Sequence, residues 1–202
     1  MPAETPHAAF RREVRTKALT VATDQLGEVG WDHVRISDIA STVGVSRPTI
    51  YAEFGNKDGL AEILVMEETT RFLVGVTSIL DANTDDPIIA VEKAISYTLD
   101  EADKSPILRA ILTSGTSGNN GSNSLLPFIT TRGAPVMLAA NEALFDWFAA
   151  QAPNTSKQQI ADAVDSLVRL VVSHMMVPKR RQRRTPAKFG RLAALLLPEL
   201  TE

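Results

Sequence analysis

The sequence predicts an all-α fold. Apolar residues recur at three- and four-residue intervals through most of the 202 residues, Gly, Pro and Asn clusters separate the runs, and no stretch alternates apolar with polar as a half-buried strand would. No repeat of fixed period appears.

The elements follow in order. From Phe10 onward, Phe10, Val14, Ala18, Val21, Ala22, Leu26 and Val29 fall on one helical face, a helix of about five turns that Gly27 or Gly30 can end. Ser37, as a cap, and Asp38, favoured at the positive helix end, open a short helix through Val43, and Gly44 breaks it. Ser46 is the next N-cap, with Pro48 in the first turn, where its missing N–H costs little. That third helix should end near Phe54, before Gly55. Asn56 caps a long fourth helix through about Leu80, with Leu60, Ile63, Leu64, Phe72, Val76 and Leu80 available for burial. Asp81 to Pro87 reads as a connection. Further helical runs span Ile88 to Asp103, Pro106 to Ser114, Leu125 to Thr131, Pro135 to Ala150, Lys157 to Val177 and Pro186 to Leu197, and the Gly/Ser/Asn segment Gly115 to Ser124 reads as a mobile linker.

Composition narrows the chemistry. With 44% hydrophobic and 22% charged residues the chain is ordinary globular material, enough for one large domain or two small ones. The absence of Cys excludes disulfides, thiolate metal sites and a cysteine nucleophile. The N-terminal residues lack the apolar core of a signal peptide, and no apolar run approaches the roughly 18 residues of a membrane span, so a soluble, cytoplasmic protein without membrane contact is expected. A net charge of −3 argues against wholesale wrapping of nucleic acid, so any DNA contact must use a local patch.

Such a patch is legible in ISDIASTVGVSRPTIYAEFGNKDGL, Ile36 to Leu60. Ile39, Val43, Val45 and Ile50 take inward positions, Ala40 is small where two helices cross, and Gly44 supplies a permissive turn, which is the pattern of a helix-turn-helix. Its second helix turns Arg47, Thr49, Tyr51 and Ala52 outward, as a recognition helix presents its early residues to base edges in the major groove. An ordinary packed helix pair fits any one of these features, but not all of them together.

Ser37, Ile39, Ala40, Gly44, Val45, Ser46, Ile50, Tyr51, Phe54, Lys57 and Leu60 stand in the register of the TetR family of transcriptional regulators, which the segment from Phe10 to about Leu64 resembles. The resemblance implies a homodimeric all-helical repressor that binds palindromic operator DNA. The expected division is a helix-turn-helix head over residues 1–55 and a helical effector-binding and dimerisation body over 56–202, the first helix of the body joining the two. On the matching positions, Arg47, Pro48 and Thr49 would meet bases or the adjacent backbone and Tyr51 would reach a phosphate. Lys57 with the start of the fourth helix would clamp another phosphate, and Ser37 and Ser46 could donate to phosphates as well as cap. Arg11, Arg12 and Arg15, with Lys17, could reach phosphates or the minor groove, or form a solvated face. Glu53 departs from the family pattern: near phosphate it would repel, so it either turns away or lowers affinity.

The body has more apolar faces than a bundle needs, which suggests an interhelical pocket for a small, largely apolar or acyl-type effector that releases the DNA. Candidate walls include Ile95, Leu99, Ile111, Leu112, Leu126, Phe128, Leu138, Phe145, Phe148 and Val172, each of which could equally be plain core. Tyr97, Arg109, Asn141, Arg169 and His174 are polar residues in apolar stretches, and burial would demand partners for them. The basic run Lys179 to Arg184 reads as a solvated loop, or as a meeting point for an anionic ligand group. Val164, Leu167, Val168, Val171 and Met175, then Phe189, Leu192, Leu195 and Leu196, form apolar stripes suited to a dimeric four-helix interface.

Two other classes fit the residues less well. For an enzyme, the Gly-rich segment lacks the Lys of a phosphate-binding loop and the spacing of a nucleophile elbow, and no catalytic residue is marked. His7, His33 and His174 have no metal-ligand spacing, so neither a metal nor a cofactor is expected. A DNA-binding dimer governed by a protein partner or by its own level would have a fully packed body.

Overall fold

The computed structural model describes residues 5–113, 125, 127, 132–176 and 185–201, the side chains of 111–113 excepted. The described residues are helical without a strand: α1 (Pro6–Val29), α2 (Ile36–Val43), α3 (Arg47–Phe54), α4 (Lys57–Asp81), α5 (Pro87–Lys104), α6 (Pro106–Thr113), α7 (Ala134–Gln151), α8 (Lys157–Met176) and α9 (Thr185–Leu196). Short 3₁₀ turns follow α1 (Trp31–His33) and α9 (Pro198–Thr201). The expected run Leu125 to Thr131, the linker Gly115 to Ser124 and the basic run Lys179 to Arg184 lie wholly or mostly outside the described residues.

Local chemistry sets most boundaries. α1 starts earlier than its apolar face suggests, because Thr5 accepts the Ala8 amide and Pro6 occupies the first turn. Phe10 and Val29, taken as ends of that face, are about half exposed, and Val14, Ala18, Leu19, Ala22 and Leu26 form the buried stripe. At Gly44, φ is +81°, and the Val45 and Gly44 amides close back on the carbonyls of Ala40 and Ser41. This left-handed closure costs glycine little and a Cβ-bearing residue roughly 1–2 kcal/mol. Asn56 caps α4 by accepting the Gly59 amide at 2.8 Å.

Two cores result. The first joins α1, α2 and α3 to Leu60, Ala61, Leu64 and Val65 of α4, and it also takes in Ile107 of α6 and Leu125. The second joins the later part of α4, from Leu73, to α5, α7, α8 and α9. α4 therefore contributes to both, and α6 packs against α1 on one side and α5 on the other. Ile50 is wholly buried, so that side chain alone ties α3 to the first core with about 1.5–3 kcal/mol of transfer free energy.

Candidate nucleic-acid interface and interior cavity

α3 is built to show one face. Ile50 and Phe54 hold its inner side in the first core, which leaves Arg47, Pro48, Tyr51 and Ala52 exposed and Thr49 half-buried. Ser46 caps the helix by accepting the Thr49 amide, and its hydroxyl also bonds that of Thr49 at 2.8 Å. The outward set is the one the sequence pattern indicates, on a helix fixed at its start by the cap and along its length by burial.

Ser37 and Lys57 lie elsewhere than expected, and Glu53 takes one of its two expected courses. α2 begins at Ile36 with Arg35 in the cap position, so Ser37 sits inside the first turn and its hydroxyl donates to Asp38 at 2.9 Å rather than capping. Lys57 folds inward: its ammonium donates to the Trp31 carbonyl at 2.8 Å and lies 5.1 Å from the Trp31 ring centre. Burial lowers its pKa, and in this arrangement the ammonium stabilises the turn after α1 instead of facing a phosphate. Glu53 turns away from the outer face of α3 to α1, where Arg11 donates two hydrogen bonds at 2.9 and 3.0 Å and Arg15 one at 3.2 Å. The carboxylate is nearly buried beneath two partly exposed guanidinium groups, 9% against 57% and 39%. The clasp leaves one net positive charge from three ionic groups, on the side of α1 that meets α3.

The body holds a cavity of about 160 Å³ bounded by α4, α5, α6, α7, α8 and α9. Along α4 its wall runs from Val65 through Phe72 and Val76 to Leu80, about 22 Å at 1.5 Å per residue. Ile107 and Leu108 of α6, Phe148 of α7 and Phe189 of α9 close other sides, and the wall is apolar almost throughout. Its polar side chains are Glu68, Thr69 and Thr98. Glu68 accepts Arg71 at 2.7 and 2.9 Å, and Arg71 also reaches Glu101 at 3.5 Å. Burial pushes the Glu68 carboxyl up, but the hydrogen bonds from Arg71 and Ser105, with the Arg71 charge, outweigh it and hold the pKa below its ordinary value.

Of the wall residues expected from sequence, Ile95, Phe148 and Val172 line this cavity. Tyr97 stands behind it, stacked on Phe72 with ring centres 5.9 Å apart, and Leu99 and Phe145 are partly buried against the second core. Arg109 and Leu138 are exposed. Arg169 is exposed and paired to Asp165 at 2.6 Å, and Asn141 donates to the same carboxylate at 3.0 Å. His174 bonds Thr185 at 3.2 Å and sets its ring edge-on to Phe189, so it supports the wall from outside. The side chains of Ile111 and Leu112, and all of Leu126 and Phe128, lie outside the described residues.

The stripe assigned to a dimer interface faces inward. Val164, Leu167, Val168 and Phe189 are buried in the protomer, Val171 and Met175 line the cavity, and Leu192 and Leu196 pack on the second core. The reason is that α8 lies along α7 and α9 along α5, each turning its most apolar side to that neighbour. Leu170 and Leu195 point outward, 45% and 76% exposed. The α4 wall is not among the sites expected from sequence, although Glu68 carries a signal: it is a carboxylate four residues after Leu64 and four before Phe72, on the apolar stripe.

Comparison with known proteins finds a family match for each part of the chain. The family described as "Bacterial regulatory proteins, tetR family" matches residues 18–64, and "Bacterial Tetracyclin repressor, C-terminal domain" matches residues 86–197. The HTH-type transcriptional regulator AlkX of Mycobacterium tuberculosis (strain ATCC 25618 / H37Rv) is 29% identical over 188 residues, 93% of this chain and 87% of the relative. A solved TetR family repressor AlkX from Dietzia sp. strain DQ12-45-1b, implicated in biodegradation of n-alkanes, is similar in fold at TM-score 0.74 and 22% identity, over 91% of this chain and 97% of that one. The structure of RolR in complex with resorcinol is similar at TM-score 0.64 and 14% identity, over 96% of each chain. Among the described residues, no helix is long and apolar enough to cross a membrane.

Proposed function

The chain belongs to the TetR family of DNA-binding transcriptional regulators, and from that membership we propose a repressor that binds a palindromic operator as a homodimer and leaves it when an apolar small molecule fills the body cavity. Residues 1–55 form the reading head in this account, and residues 56–202 sense the effector and dimerise. Arg47, Pro48, Thr49 and Tyr51 meet the DNA, with Ser46 positioning Thr49. Leu170 and Leu195 belong to the dimer face, since they are the large apolar side chains that α8 and α9 expose.

One observation carries the effector reading. Ile107 belongs to the head core and also lines the body cavity, so a molecule that presses on α6 presses on the packing of α1 and α4 as well. A ligand must prefer the DNA-released arrangement by about 1–3 kcal/mol to weaken operator binding fivefold or more, and the coupling must be reciprocal. RolR with bound resorcinol supports small-molecule occupancy in this fold, and the almost wholly apolar wall favours a hydrocarbon-like occupant.

The test has two parts. Selection of bound duplexes from a random library should return an inverted repeat, with half-sites about one helical turn apart or somewhat more. On that operator, an apolar ligand that raises the melting temperature should weaken binding, and the operator should weaken ligand binding by the same factor. Ile107→Val should reduce that factor with little loss of apo DNA affinity. An apolar panel without any thermal shift would favour a regulator governed by a protein partner or its own level.

A further inference from the structure

The cavity wall states what its occupant must look like. On α4 the wall residues from Glu68 to Leu80 cover about 18 Å of almost wholly apolar lining. A lining of this length suits one extended chain: at about 1.2 Å per bond, roughly 15 atoms in line would span it.

The chain's polar end is set by the other side chains. Every polar side chain on the described wall has acceptor capacity to offer and no proton to spare. Glu68, ionised, accepts only, and its bonds from Arg71 and Ser105 leave room on two oxygens for about one more. The Thr69 hydroxyl is spent on the Val65 carbonyl at 2.7 Å and that of Thr98 on the Ala94 carbonyl at 2.8 Å, which leaves only lone pairs. The described wall contains no Lys, Arg or His. Arg71, which bonds Glu68, is already divided between Glu68 and Glu101.

We propose that the effector is a long unbranched aliphatic chain ending in a neutral hydrogen-bond donor, a primary alcohol, whose hydroxyl donates to Glu68 while the tail runs along α4 toward Leu80. This rests on the effector reading above and deepens it. The corresponding carboxylate is disfavoured twice: it brings a second anion beside Glu68, and it has no donor to offer the acceptors around it. The alkane covers the apolar wall but leaves the acceptors as it found them.

The experiment titrates the full-length protein with 1-tetradecanol and with tetradecanoate at pH 8, below their aggregation concentrations. Binding is read by calorimetry and by tryptophan fluorescence, to which Trp31 and Trp147 both contribute and of which Trp147 stands edge-on to the cavity residue Phe148 at 5.0 Å between ring centres. The alcohol should bind at least about tenfold tighter than the carboxylate. Glu68→Gln removes the charge and supplies an amide that can donate to a carboxylate, so the two affinities should come within roughly threefold. A wild-type protein that binds tetradecanoate as well as the alcohol overturns the head-group assignment and leaves the effector reading standing. So does an alcohol preference that survives Glu68→Gln unchanged. If neither chain binds, the aliphatic-chain assignment falls, and the effector reading is decided by the wider apolar panel. Should Glu68→Gln not fold, the wild-type comparison decides alone.

Discussion

Glu53→Gln separates what the clasp on α1 does for the fold from what it withholds from DNA. The side chain is nearly buried, but its partners Arg11 and Arg15 are 57% and 39% exposed, so each pair is worth at most about 1 kcal/mol after solvent screening. Gln keeps one acceptor for the arginines and loses the charge, so the expected cost is about 1 kcal/mol of stability, or roughly 2–4 °C in melting temperature for a chain of this size. DNA affinity should move the other way. Each protomer gains one uncompensated positive charge beside α3, and each extra phosphate it neutralises steepens log K against log salt by about 0.9. A dimer should therefore show a slope steeper by up to about 1.8 and a few-fold tighter binding near 0.1 M salt. Fluorescence anisotropy on operator duplex across a salt series measures both quantities. A slope and affinity equal to wild type would show that Arg11 and Arg15 do not reach the backbone and would refute the reasoning. Weaker binding would instead make Glu53 a residue that holds α3 in its reading pose.

Arg47→Ala should cost roughly 1–3 kcal/mol of specific binding with altered base preference, and Tyr51→Phe should cost less without changing sequence preference, both measured at matched salt. Leu195→Glu, at a position 76% exposed in the protomer, should convert a dimer to a monomer in light scattering while leaving the helical circular dichroism intact. The Glu68 carboxyl has a folded pKa below its ordinary 4.5, so its contribution to stability is present above that value and lost as pH falls through the folded pKa. The stability gap between wild type and Glu68→Gln, from urea unfolding, should hold steady above the ordinary value and close as pH falls below it. A gap that widened in acid would mean that burial, not the Arg71 bonds, dominates at this carboxyl.

Much of this fold is written within single turns of the chain. Ser46 and Asn56 accept amides three residues ahead, and Gly44 closes α2 through carbonyls three and four residues behind it, so these helix ends need no distant partner. The outward face of α3 follows from the same short range, because once Ile50 and Phe54 are buried, helical geometry fixes where Arg47, Pro48 and Tyr51 point.

Where a side chain could satisfy itself in more than one way, only the tertiary structure decided. Lys57 could have reached a phosphate, but the Trp31 carbonyl and ring, 26 residues away in sequence, offer a nearer partner. Glu53 reads as a misplaced charge until α1 brings Arg11 and Arg15 across from 42 and 38 residues away. The stripes of α8 and α9 have the composition of an interface and of a core alike, since burying Val164, Leu167 and Val168 releases the same water whether the cover is α7 or a second copy. Which cover is present depends on how the helices meet, and periodicity along one helix holds no information about its neighbours. The cavity is the extreme case: it is a volume left between six helices, so its wall of Glu68, Ile107, Phe148 and Phe189 exists only once all of them are in place.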